Sequence, residues 1–174
     1  MCSTYTEEYI YSIEHTFFLI DVSKGLVVRT IDRWGPNYKI GFDFKVVNSI
    51  GSGYHNLLHL TETDNQKPGF KKGGRIPGIW FVNESKRLKF HVGVTGLRGR
   101  QETFETFTEI NQWYSIQMEQ NGGKFNISID GEFKQALDVE STEYRNVKWY
   151  QSDLWYDSMG NYIQLKKVQF CNNI

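Results

Sequence analysis

The stretch "WYSIQMEQNGGKFNISIDGEF" (113–133) decides the fold. Asn121-Gly122 marks a tight turn. Pairing Glu119 with Lys124 aligns the two arms. Met118 then faces Phe125, Ile116 faces Ile127, and Tyr114 faces Ile129. The opposite face sets Trp113, Ser115, Gln117 and Glu119 against Asp130, Ser128, Asn126 and Lys124. One register separates apolar from polar on both arms, which is the signature of a half-buried hairpin. Asp130-Gly131 supplies a second tight turn.

The same period of two recurs along the chain. "YKIGFDFKVV" (38–47) puts Tyr38, Ile40, Phe42, Phe44 and Val46 on one face, and Lys39, Asp43 and Lys45 on the other. "KKGGRIPGIWFVNESKRLKFHV" (71–92) reads as a lead-in followed by a hairpin. Its "NESK" turn (83–86) pairs Val82 with Arg87, so Phe81 faces Leu88, Ile79 faces Phe90 and Pro77 faces Val92. The other face carries Trp80 opposite Lys89 and Gly78 opposite His91. Further strands are expected at 26–32, 56–61, 145–151 and 162–170. No segment shows a helical stripe. About ten to twelve short strands with Gly-rich turns predict an all-β, two-sheet antiparallel jelly-roll sandwich. A length of 174 residues suits a single domain, 1–174.

Composition limits the partners. Twenty basic residues balance twenty acidic ones, against a sequence-independent nucleic-acid binder. No apolar run approaches the roughly 20 residues of a membrane span. "MCSTYTEEYIYS" has no apolar core of a signal peptide. The protein is therefore cytosolic, or secreted with its leader removed. Cys2 and Cys171 stand at opposite ends of the chain and in no CxxC pair. They are two free thiols, or a bridge closing almost the whole chain, which carries a ceiling of about 5 kcal/mol.

Several chemistries lack their residues. "GSGYHN" (51–56) begins like a dinucleotide fingerprint but has no third glycine. "KKGGR" lacks the spacing of a phosphate loop, and no helix follows it. It reads as a flexible lead-in with exposed cations. There is no GxSxG, HExxH or zinc-spaced Cys/His set. Acidic residues cluster loosely. Glu62 and Asp64, with Asn65, and separately Asp153 and Asp157, are solvated loop charges or ligands of a calcium ion, which prefers gathered oxygens. Two N-glycosylation sequons start at Asn83, in the "NESK" turn, and at Asn126, on the polar hairpin face.

Three stretches resemble the concanavalin A-like lectin/glucanase superfamily, above all its laminin G-like and pentraxin-like branches. "NQWYSIQMEQNGGKFNISIDGE" (111–132) is similar to those branches' "W-x-x-V … G … L-x-V-D-G" hairpin. "HNLLHLTE … GGRIPGIWFVNESKRLKFHV" and "YRNVKWYQSDLWYDSMGNYIQLKKVQF" (144–170) resemble extracellular animal domains that carry "GDRIPAIW" and "NVKVYASDPWY". The likeness runs over roughly 38–170. It implies a jelly roll with neighbouring terminal strands, which fits a Cys2–Cys171 bridge. It also implies an extracellular role in binding glycans or matrix proteins, often with calcium. The acidic residue usual before Arg75 is Gly74 here, and the glucanases' E-x-D-x-x-E strand is absent. That removes the main support for hydrolysis.

The expected function is thus a non-catalytic, lectin-like binding module. Its candidate ligand residues are Trp80, Lys89 and His91 on one hairpin face, joined by His59 and Arg75. Either Trp80 lies on an open sheet face as a stacking platform, or loops bury it in a second core layer. The alternative is a structural, self-assembling matrix protein, whose tail "VKWYQSDLWYDSMGNY" (147–162) would make homo-oligomer contacts.

Overall fold

The computed structural model describes residues 11–13, 24–49, 51–62, 73–84, 87–93, 101–150, 152, 154–158 and 162–173. At 11–13, 82–84, 87–93, 101–108, 157, 158 and 173 the description is of the backbone. The elements are all strands: β1 (Tyr11–Ile13), β2 (Val27–Trp34), β3 (Asn37–Val46), β4 (Gly53–Thr61), β5 (Gly78–Glu84), β6 (Arg87–Gly93), β7 (Gln101–Thr108), β8 (Trp113–Asn121), β9 (Lys124–Ile129), β10 (Glu132–Asp138), β11 (Tyr144–Tyr150), β12 (Asp157–Ser158) and β13 (Ile163–Asn173). Among the described residues no helix is long and apolar enough to cross a membrane.

Two sheets face each other. One runs β1-β13-β3-β8-β9-β10; the other runs β2-β11-β4-β5-β6-β7. The short β12 adds to β4 in parallel, beyond the end of the β4–β11 pairing. The remaining pairings are antiparallel, and the architecture is a jelly-roll sandwich.

The alternation read from the sequence holds on β3, β8 and β9. Every apolar residue assigned to the core face of β3 is buried. So are Tyr114, Ile116, Met118, Phe125, Ile127 and Ile129. The sheets meet through rings, with Phe44 5.2 Å from Phe81 and Trp149 4.3 Å from Phe170. Such pairs add about 0.5–1.5 kcal/mol beyond simple burial. Buried Asn172 ties the sheets at one corner. Its amide donates to the Arg33 carbonyl at 2.9 Å and accepts from the Gly35 N–H at 2.9 Å.

Both hairpin registers differ from expectation by two residues. Lys124 pairs with Asn121, not Glu119, so Met118 faces Ile127 and Ile116 faces Ile129. Arg87 pairs with Glu84, not Val82, so Trp80 faces His91 and Phe81 faces Phe90. Each connection shrinks to two residues. A shift of two leaves each side chain on its assigned face, so the apolar pattern is indifferent to it. The tighter turn adds ladder hydrogen bonds and decides the register. As a consequence Asn83 sits within β5, between Gly53 and Leu88, and not in a turn.

Candidate functional site

The outward face of the seven-stranded sheet gathers most of the expected ligand residues. β4 places His59 beside Tyr150 of β11 and Gly78 of β5. Three residues along β4 and two along β5, Asn56 pairs with Trp80, and Trp80 with His91. A bulge between Asn56 and Leu58 resets the alternation of β4. The Asn56 amide fixes that bulge by donating to the carbonyls of Leu58 (3.2 Å) and Ile79 (3.1 Å).

Trp80 is the centre of this layer, and it is only 2% exposed. The ring of His59 lies 5.7 Å away and that of Tyr156 5.8 Å away, the latter edge to face. The Arg75 guanidinium stands 4.9 Å from the indole centre, close enough for a cation–π contact. Gly78 leaves the remaining space: a Cβ there would collide with the indole. Loops therefore cover Trp80, and it is not an open platform.

The lead-in to β5 performs this covering. Ile76 N–H donates to the Leu60 carbonyl, and Leu60 N–H to that of Pro77, while the Ile76-Pro77 peptide is cis. The Gly73 carbonyl accepts from Glu62 N–H (2.9 Å) and from the Thr61 hydroxyl (3.1 Å). The carbonyl of Gly74 accepts from His59 Nε2 at 2.6 Å, which fixes the tautomer of that ring. The sequence expectation of exposed cations in this segment is corrected at Arg75, which is 5% exposed and packed on Trp80.

What remains at the surface is the rim of the layer. Tyr54 and Trp155 are 42% and 45% exposed. The Tyr54 ring lies 5.9 Å from half-buried Tyr156, which in turn rests on Trp80. Sequence reasoning placed Trp155 and Tyr156 in a contact tail and passed over Tyr54. The signal for Tyr54 was its parity, two residues before Asn56 on the outward face of β4.

Lys89 and His91 are backbone positions opposite Val82 and Trp80. Glu62 is exposed, and its carboxylate accepts from Arg145 N–H at 3.2 Å. Asp157 pairs with His55, whereas Asp64 and Asp153 lie outside the described residues. Among the described residues no group of three His, Cys, Asp or Glu gathers to hold a metal. Cys171 is half-buried opposite Lys39, and Cys2 lies outside the described residues. Asn126 is half-buried between Glu119 and Ala136.

Among the described residues two groups have displaced acidities. Burial, with a smaller contribution from Tyr144, raises the Tyr38 phenol well above its ordinary range. The Arg33 hydrogen bonds lower the Glu143 carboxyl, against a smaller opposing effect of desolvation and with help from the Arg33 and Arg145 charges.

Solved structures share this architecture. A heptameric SAP-like pentraxin from Limulus polyphemus superposes with a TM-score of 0.54 at 12% identity, over 83% of this chain and 67% of the pentraxin. Domain 4 of the extracellular arabinanase AbnA from Geobacillus stearothermophilus, solved with arabinotriose, gives 0.52 at 12%, over 95% and 82%. An alginate lyase from Alteromonas sp.272 gives 0.51 at 12%, over 80% and 73%. The fold shared with them is the two-sheet jelly-roll sandwich. No protein-family model and no curated protein matches the chain. At these identities the likeness is one of fold, and a jelly roll hosts binding modules and enzymes alike.

Proposed function

We propose that this chain is a non-catalytic, extracellular carbohydrate-binding module whose ligand rests on Tyr54, Trp155 and Tyr156. One observation carries the reading: exposed Tyr54 packs on Tyr156, which buried Trp80 holds from beneath, and the neighbouring residue in the chain, Trp155, is exposed. A flat aromatic surface packs on the C–H face of a sugar ring, while neighbouring polar groups orient its hydroxyls. The jelly-roll domain solved with arabinotriose supports a sugar ligand on this architecture.

Three further points support the reading. The glucanase carboxylate strand is absent, and the His59 imidazole is engaged with a backbone carbonyl. The terminal strands β1 and β13 pair, Tyr11 against Phe170, which favours a Cys2–Cys171 bridge and an oxidising compartment. The Asn126 sequon lies on an outward sheet face, where a secreted chain would accept a glycan.

A glycan array read with calcium and with a chelator tests the module. Binding that Tyr54→Ala and Trp155→Ala each abolish supports it. Shortening of alginate or arabinan chains by the pure protein would instead make it an enzyme.

A second reading, a self-associating matrix protein, is favoured by the exposed Leu26, Val27 and Val28. They follow Gly25, against which the exposed Leu154 packs. Sedimentation over a range of concentrations checks it.

A further inference from the structure

The six-stranded sheet carries a second aromatic site on its outward face. Its registers set Gln164, Lys45 and Trp113 in one row, and Lys166, Asp43 and Ser115 in the next. The Lys166 ammonium lies 3.8 Å from the centre of the Trp113 ring, and that of Lys45 lies 5.1 Å away. Between Lys166 and Gln169 the β13 register shifts, and Lys167 takes a left-handed φ of 52°. From there Lys167 reaches Asp43 Oδ2 at 3.2 Å, while Lys166 stands 4.0 Å from the same oxygen. Three ammoniums thus share one indole and one carboxylate. The next carboxylate along, Asp130, directs one oxygen at the Ser115 N–H, 2.7 Å away. Among the described residues Lys45 has no ion-pair partner.

This arrangement concentrates charge without neutralising it. The negative face of an indole fixes an ammonium by cation–π attraction, yet leaves its charge and its N–H donors available. Gathering like charges is unfavourable unless an anion completes the cluster. The chain as a whole is balanced, twenty against twenty, so this surplus is local rather than the diffuse basicity of a nucleic-acid binder. Neutral hydrogen-bonding side chains continue the same face, Gln164 on β13 and Ser115 and Gln117 on β8, suited to sugar hydroxyls.

We propose that this face binds an acidic saccharide, with a carboxylate or sulfate held by Lys45 and Lys166 beside Trp113. The site is on the opposite sheet from Tyr54 and Trp155 and is independent of that surface.

Calorimetric titration of the full chain tests this with heparin-derived oligosaccharides, oligogalacturonate and a neutral maltooligosaccharide. The acidic sugars are expected to bind and the neutral one not to. Lys45→Ala and Lys166→Ala should each weaken binding about tenfold, the loss of one charged hydrogen bond. Tyr54→Ala should retain it. Heparin alone binding identifies sulfate as the recognised group; both binding makes a carboxylate sufficient. Circular dichroism verifies that each variant is folded. Absence of binding to both acidic sugars overturns the proposal. So does wild-type affinity in a folded Lys45→Ala/Lys166→Ala protein, or equal binding of inorganic polyphosphate.

Discussion

The indole of Trp80 meets the phenol ring of Tyr156 edge to face, with centroids 5.8 Å apart and planes at 70°. This contact joins β5 to the loop before β12 and sets which aromatics reach solvent. Trp80 serves the surface indirectly, as a support. A Trp80→Ala protein should lose about 3–5 kcal/mol of stability, the cost of emptying a buried aromatic site. Urea unfolding measures it, and a loss under 1 kcal/mol would contradict the buried placement.

Gly78 and Trp80 test the same layer from the other side. The requirement at Gly78 is space, since its Cβ would enter the Trp80 ring. Gly78→Ala should destabilise by about 1–3 kcal/mol, the usual cost of overpacking. Restored stability in a Gly78→Ala/Trp80→Leu protein would identify the clash as the cause.

The Arg33–Glu143 pair predicts an acid limb. Arg33 donates to both carboxylate oxygens, at 3.2 and 2.8 Å, and the Glu143 acidity is shifted down. A carboxyl depressed in the folded state contributes its full stability above the unfolded value of about 4.3. That contribution fades as pH falls through the lower, folded value. Glu143→Gln should therefore flatten the decline in melting temperature below about pH 4.3 and leave its shape at neutral pH unchanged.

The proposed Cys2–Cys171 bridge predicts a single cross-linked peptide in a non-reducing digest. Reduction should lower stability by no more than about 5 kcal/mol. Two alkylated thiols from the unreduced native protein would refute the bridge.

The faces of β3, β5, β8 and β9 were legible in the sequence because alternation assigns them residue by residue. Register was not, since a shift of two residues preserves each face. It took the two-residue connection at Gly122-Gly123 and the Glu84–Arg87 pairing to fix which residues oppose. The gathering of Trp80, His59 and Arg75 was partly legible. The outward parity of Trp80 followed from the pattern, but the burial of all three depends on the 73–77 segment and Tyr156 folding over them. The Trp113–Lys166 contact was invisible for another reason. The two residues are 53 positions apart and meet because β13 and β8 both flank β3.

The central claim is that the exposed rim, rather than Trp80 itself, contacts sugar. Glycan-array binding of folded Tyr54→Ala, beside wild type, tests it most directly. The account predicts that wild type binds a defined set of non-acidic glycans and that Tyr54→Ala binds none of them. Unchanged binding by Tyr54→Ala and by Trp155→Ala would contradict it.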